Sequence, residues 1–348
     1  MGTHVGGAWT EPGAHVVAPN VWRIPVVLPL DGLKAVNVYA IVDGGGLTLV
    51  DGGWALDAAR RALVDGLAVI GAELGDINQF LVTHVHRDHY TNAIAVRREL
   101  GTKVLLGAGE QRAIERITQA APGGPRTHLA SLARHGAAQV ADALAALGSA
   151  GDDGRLDFEA PDAWISSGDR FEVGDRVLEA IATPGHTRGH VVFADRDNGL
   201  LFAGDHVLPH ITPSIGFEIA PPRLALRDYL DSLRLVRAMP DMTLLPAHGP
   251  AGGRVHARVD ELLAHHDRRL AETAAAIGAG STAYDVATQI GWTSRRRKFA
   301  DLDPFNQMLA VFETVWHLEL LVLQGKAATT EIDGVVVYTA PADVAAHP

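Results

Sequence analysis

The chain has 348 residues, no cysteine, and 30 Lys and Arg against 41 Asp and Glu, for a formal charge of −11. Disulfides and thiol catalysis are therefore excluded, and the acidic balance disfavours sequence-independent binding to nucleic acid, which rests on positive charge. The length suffices for one large domain plus a small one.

The opening stretch, Met1 to Gly7, has neither a basic n-region nor an apolar h-region, so no signal peptide is expected. No uninterrupted apolar run reaches the roughly 18 residues of a membrane helix, and the expected location is cytoplasmic. Val36 to Val42 and Leu47 to Val50 read as paired strands across Asp43-Gly44-Gly45-Gly46. Asp51 follows directly, before Gly52-Gly53. It either orients a neighbouring imidazole or caps its own turn. Leu63, Leu67, Ile70 and Leu74 then recur at helical spacing.

The apolar stretch Phe80-Leu81-Val82 runs into Thr83-His84-Val85-His86-Arg87-Asp88-His89. Three imidazoles and a carboxylate in these slots are expected by chance on the order of 0.005 times per chain, which demotes a His-rich solvated loop. His84 and His86 converge on one point if the backbone turns out of its strand. Asp88 and His89 can then face a second point, so the spacing suggests two neighbouring cations.

Lys103 to Leu106 follows as a strand. Residues 109–154 form an Ala- and Leu-rich helical insertion, long for a connection. It is either a cover over the site or a packing element or homodimer contact, and Gly151-Asp152-Asp153-Gly154 reads as an exposed turn. Strands at Val177 to Thr183, Val191 to Ala194 and Leu200 to Ala203 follow. The first ends in Pro184-Gly185-His186-Thr187, with His190 four residues on as a core or orienting imidazole. The third ends in Gly204-Asp205, and Leu244-Leu245 runs into Pro246-Ala247-His248-Gly249. Ligands at strand ends are where open α/β sheets place their sites. The apolar loop Ile211-Thr212-Pro213-Ser214-Ile215-Gly216-Phe217 offers Ile211, Ile215 and Phe217 as a substrate wall.

After residue 253 the character turns helical. Val259, Leu262, Leu263, His266, Leu270 and Ile277 form one stripe, Ser281 or Thr282 caps a second helix, and a third spans 305–324 with Trp316, Leu320 and Leu323 facing inward. A hairpin with an Asp333-Gly334 turn closes the chain, and Arg295 to Lys298 reads as a solvated basic edge.

His-x-His-x-Asp-His, Pro-Gly-His-Thr, Gly-Asp and Ala-His-Gly, in this order and spacing, resemble the metallo-β-lactamase-fold hydrolase superfamily. The resemblance implies a four-layer αββα sandwich over residues 1–253. It implies one metal on His84, His86 and His186, another on Asp88, His89 and His248, and Asp205 bridging them. It also implies a metal-bridging hydroxide as nucleophile, with Asp88 and Asp205 as the catalytic carboxylates and Asp51 and His190 as orienting residues. Five imidazoles and two carboxylates suit two zinc ions, and iron or manganese would also be accepted. Residues 254–348, helices and then a hairpin, resemble the winged-helix-like tail of the glyoxalase II and LACTB2-like branch. The family's first motif commonly continues with Gly-Gly, whereas Tyr90-Thr91-Asn92 follows here.

With this ligand set the leading expectation is hydrolysis of a small activated acyl compound such as a thioester or lactone. A metal-dependent phosphodiesterase or ribonuclease is the alternative. A non-catalytic metal-stabilised module fits less well, because the ligand set leaves room for water.

Overall fold

A computed structural model describes residues 9–29, 32–119, 127–147, 158–218, 221–293 and 295–341. The N-terminal stretch Met1 to Gly7 and the turn Gly151 to Gly154 lie outside the described residues. In chain order the elements are β1 (His15–Ala18), β2 (Val21–Val27), β3 (Ala35–Val42), β4 (Leu47–Val50), α1 (Asp57–Val69), β5 (Ile77–Val82), α2 (Arg87–Leu100) and β6 (Lys103–Gly107). Then come α3 (Gln111–Gln119), α4 (Thr127–Arg134), α5 (Ala138–Ala146), β7 (Ala163–Ile165), β8 (Arg170–Val173), β9 (Arg176–Ala182), β10 (Val191–Asp195) and β11 (Leu200–Gly204). The chain ends with α6 (Ala225–Ala238), β12 (Thr243–Pro246), α7 (Val255–Ala275), α8 (Ala283–Gln289), α9 (Pro304–Leu323), β13 (Ala328–Ile332) and β14 (Val335–Thr339).

Strands β1 to β7 form one sheet in sequence order, and β12-β11-β10-β9-β8 form a second. The sheets face each other through Val21, Tyr39, Ile41 and Val50 on one side and Phe193, Phe202 and Leu245 on the other. The outer face of the first sheet packs on α1, α2 and α3 through Leu63, Tyr90, Ile94 and Ile114. That of the second packs on α6 and α7 through Leu226, Leu233, Val259 and Leu262. This is the expected αββα layering. Each central strand is covered on both faces, which is why its sequence is a continuous apolar run rather than an alternation.

The parallel pairs β4·β5 and β11·β12 end at the same rim of the sandwich, where Asp51, His84, Asp205 and His248 leave their strands. Across that rim Asn37 Nδ2 donates to the Pro246 and Gly249 carbonyls, and the Thr83 carbonyl accepts from Val191 N. The two sheets are thus hydrogen-bonded where the site lies.

The C-terminal elements follow the expected order. Thr282 and Asp285 form a capping box for α8, and Asp303 caps α9, with Pro304 in its first turn. Asp333 and Gly334 take the left-handed φ values, 50° and 80°, that a two-residue hairpin turn needs. Two expectations change. Leu74 falls in a short 3₁₀ turn, because α1 stops at Val69 and Gly71 is left-handed at φ 73°. Leu323 is 55 % exposed and Trp316 only partly buried, whereas Leu320 is buried. Leu132, Val140 and Ala141 of α4 and α5 share one apolar cluster with Val286, Val311, Phe312 and Tyr338. Of the insertion's helices, α4 and α5 therefore pack on the C-terminal helices, while α3 packs on the first sheet.

Candidate metal centre

Strand β5 ends at Val82, and the chain turns outward through Thr83 to His86 before α2 begins at Arg87. His84 and His86 thereby leave the strand end, while Asp88 and His89 occupy the first turn of the helix. His186 arrives from the turn after β9. His84 Nε2 lies 3.0 Å from His86 Nδ1, and His186 Nε2 lies 3.2 and 3.0 Å from those two atoms. Ligand atoms held at about 2.0–2.1 Å in a tetrahedron stand roughly 3.3 Å apart, so the three nitrogens have the spacing of one coordination sphere.

A second group lies beside it. Asp88 Oδ2 is 3.5 Å from His89 Nε2 and 3.4 Å from His248 Nε2. Asp205 stands between the groups, with Oδ1 3.4 Å from His248 Nε2 and 3.8 Å from His89 Nε2, and Oδ2 3.4 Å from His186 Nε2. Gly204 makes this placement feasible. Its φ is +50°, and a Cβ there would lie 2.6 Å from His190 Nε2 and 2.8 Å from Thr83.

Each converging imidazole is fixed through its other nitrogen. His84 Nδ1 meets Thr83 Oγ1 at 3.0 Å, and His89 Nδ1 donates to Asp51 Oδ2 at 2.9 Å. His86 Nε2 donates to the Phe217 carbonyl at 2.7 Å, His186 Nδ1 to that of Ser214 at 2.6 Å, and His248 Nδ1 to that of Ala35 at 2.7 Å. Asp51 also accepts from the Thr83 amide and hydroxyl, and sits at φ 63°, a left-handed conformation that Asp tolerates better than most residues. His190 works one step back: Nδ1 meets Thr183 Oγ1 at 2.9 Å and Nε2 accepts from the Asp205 amide at 3.1 Å.

Burial keeps the first three imidazoles neutral, with His84 and His186 lowered and His86 at about 3. Burial also works against ionised Asp88 and Asp205, yet the His89 and His248 rings beside them hold both carboxyls below the usual range. His89 shows the converse. Burial would lower it, but Asp88, Asp51 and Asp205 outweigh that and raise it to about 10. His89 Nε2, His248 Nε2 and Asp205 Oδ1 are buried without a hydrogen-bond partner. Against burial, Asp205 and Asp88 raise His248 as well, so at the second group a cation would take the place of the protons that the carboxylates favour on these two rings, whereas the first group already offers neutral imidazoles.

The family model of the metallo-beta-lactamase superfamily matches residues 31–248. The chain belongs to that superfamily. Members of that superfamily are typically metal-dependent, and the His and Asp groups described above are candidates to hold the metal. A metallo-beta-lactamase family protein from Thermus thermophilus is 26 % identical and superposes with a TM-score of 0.77 over 93 % of this chain and 100 % of that one. A beta-lactamase domain protein from Burkholderia ambifaria is 26 % identical, with a TM-score of 0.74 over 96 % and 97 %. A lactamase-like protein, nscB, from Neosartorya fischeri is 34 % identical over 113 residues, 32 % of each chain. The chain thus spans about a third of that relative's length.

Around the superfamily's ligand positions, the residues that depart from its first motif have structural partners. Asn92 Nδ2 donates to the Gly52 carbonyl, and Thr91 Oγ1 accepts from Ala55 N, tying α2 to the turn after Asp51. Arg87 is exposed, its guanidinium 4.1 Å over the Trp54 ring. Ile211 is 45 % exposed, Ile215 is buried in the core behind the second sheet, and the Phe217 ring stands 5.9 Å from that of His86. Sequence reasoning passed over Thr83, which precedes the motif it serves, and the carbonyls of Ala35 and Ser214, which no side chain marks. It also passed over two buried acids. Burial raises Glu110 to about 8 and Glu218 to about 7; Glu110 accepts from Thr187 Oγ1 at 2.5 Å and Glu218 from Arg188 N at 3.1 Å.

Proposed function

We propose that this chain hydrolyses a small activated acyl compound, a thioester or lactone, at a two-ion centre. His84, His86 and His186 would hold one ion, Asp88, His89 and His248 the other, with Asp205 shared between them. The observation that carries the reading is Asp205 itself, whose two oxygens face a different imidazole group each at 3.4 Å. Ions there, zinc first with iron or manganese as the other candidates, would acidify a water to a pKa near 7 and polarise the electrophilic oxygen. Asp88, with 17 % of its side chain exposed against 7 % for Asp205, is the carboxylate that arriving substrate can reach. It takes the proton of the attacking water and passes it to the leaving group. Asp51 and His190 hold His89 and the Asp205 backbone in register for that transfer.

The acyl class is supported by the walls. Phe217 and Phe305 pack at 5.8 Å beside His86, with Phe305 45 % exposed and Ile211 equally so. The chain's formal charge of −11 disfavours a polyanion. The C-terminal helices and hairpin fit the LACTB2-like branch, and we read residues 254–348, with α4 and α5, as the cover over a catalytic unit of residues 1–253. The protein loaded with zinc is tested on acyl thioesters, lactones, β-lactams, phosphodiesters and short RNA. Turnover concentrated in the carbonyl compounds and lost on chelation is expected. Metal-dependent RNA cleavage outpacing every acyl compound would replace this reading with a nuclease.

A further inference from the structure

A cavity of about 50 Å³ lies between α4, α9 and the segment Gly216 to Glu218, lined by His128, His135, Glu218, Phe312 and Trp316. At roughly 10–15 Å³ for each water-sized occupant, it takes about three to five non-hydrogen atoms, the end of a molecule rather than a whole one. Two of its lining residues carry buried polar atoms without a hydrogen-bond partner, His135 Nδ1 and Trp316 Nε1. An indole N–H only donates, so its missing partner is an acceptor. Burial holds the His135 imidazole to about 4, leaving it uncharged at neutral pH. The Glu218 carboxyl is 7 % exposed and pushed up by burial to about 7, and the same cost of desolvating a charge bars an anionic group from the cavity.

A row of rings joins this cavity to the metal centre. The His86 and Phe217 rings meet at 5.9 Å, and Phe217 stacks on His128 at 5.4 Å with 14° between planes. The backbone makes the same connection. The segment whose Ser214 and Phe217 carbonyls orient His186 and His86 also supplies Gly216 and Glu218 to the cavity. At Gly216 a Cβ would come within 3.0 Å of Trp316 Nε1, so the indole edge lies against the loop that sets two donor imidazoles.

We propose that this cavity receives the uncharged, oxygen-bearing end of the acyl chain, a hydroxyl or amide group, with Trp316 Nε1 donating to its oxygen. The inference rests on the acyl reading above for the position of the reacting carbonyl.

Two measurements test it on the zinc-loaded protein. The first compares kcat and KM for the 6-hydroxyhexanoyl and heptanoyl thioesters of N-acetylcysteamine, which have equal length and differ in a terminal hydroxyl against a methyl. The hydroxy compound is expected to be preferred roughly three- to tenfold in kcat/KM, the value of one neutral hydrogen bond. In Trp316→Phe the preference falls to near one, mainly through KM. The second follows the Trp316 indole N–H resonance, identified by its loss in Trp316→Phe, while 6-hydroxyhexanamide or heptanamide is added. The hydroxy amide is expected to move it more, and Ser131→Leu, which fills the cavity from α4, to abolish the movement while the other indole signals stay in place. If neither thioester is turned over, the acyl reading fails, and the resonance still decides the cavity. A Trp316 signal that ignores the hydroxy amide overturns the inference, as does a preference unchanged in Trp316→Phe.

Discussion

The metal centre and the cavity wall are built in opposite ways. At the centre, converging side chains come from strand ends at one rim, and three of the five imidazoles are anchored by main-chain carbonyls, those of Ala35, Ser214 and Phe217. A carbonyl anchor is indifferent to its own side chain. The wall is made of side chains from a helical insertion, a loop and a C-terminal helix, and each contact depends on residue identity. His128 stacking on Phe217 and Phe312 is an example. A centre anchored by backbone can persist while its wall is rewritten, which is the arrangement expected where one chemistry serves many substrates.

The strongest way to break the comparison is at Asp205. Asp205→Ala removes the carboxylate common to both donor groups and is expected to lower kcat by at least about a thousandfold with the circular dichroism spectrum retained. Metal per chain should fall below that of the intact protein, for which two ions are proposed. Turnover near the parent level would remove the metals from the mechanism. Asp51→Asn comes next. The amide keeps an oxygen for the Thr83 amide but no longer offers His89 a charge, and metal affinity or activity should drop about ten- to a hundredfold. A titration with a metal-competing dye measures it, and an unchanged affinity would make Asp51 a turn residue only.

The legible part of the site follows the same division. Residues 84 to 89 are nearly consecutive, and His186, Asp205 and His248 each stand at the end of an apolar run beside Gly or Pro, so type and spacing marked them before any fold was known. The Ala35 and Ser214 anchors carry no side-chain signal. Glu110 and Glu218 carry no signal in the sequence, because only tertiary burial distinguishes them. Strands β3, β4, β6, β9, β10 and β11 were legible to within a residue or so, since each is an apolar run bounded by turns, whereas β1, β2, β7 and β8 were not read. The packing of α4 and α5 on α9 was not, because it joins segments more than 150 residues apart and amphipathic helices do not name their partners.

On the C-terminal side, the comparison is sharpened by pH. His266 Nδ1 and His317 Nε2 lie 3.2 Å apart, both fully buried. Burial lowers each imidazole, His317 to about 3, with the neighbouring His317 ring adding to the effect on His266. The unfolded chain binds protons at these rings below about 6.5 and the folded chain refuses them. Their contribution is therefore complete above that pH and is lost as pH falls toward about 3, by at most roughly 1.4 kcal/mol per pH unit for each ring. The Tm of the double variant His266→Leu/His317→Leu should fall less between pH 6.5 and 4.5 than that of the parent. Parallel losses would show that the pair is not an acid-sensitive element.

The smallest effect is expected in the basic segment. Arg296 pairs with Glu272 at 2.6 Å with 65 % of its own side chain exposed, and Arg297 donates to the Asp301 carbonyl. Arg296→Ala with Arg297→Ala should change stability by less than about 1 kcal/mol and leave any RNA retention in a filter assay unaltered. A marked loss of RNA retention would give this face a role that its internal pairing argues against.

The position of the donor groups has a mechanical consequence. His84, His86, Asp88 and His89 belong to one sheet's rim, and His186, Asp205 and His248 to the other's, so ions shared among them would clasp the two halves of the sandwich across roughly 100 to 160 residues of intervening chain. Such a clasp restricts an unfolding chain much as a covalent cross-link does. In a chain without cysteine, cofactor loading would then govern how long the folded molecule lasts as well as whether it reacts.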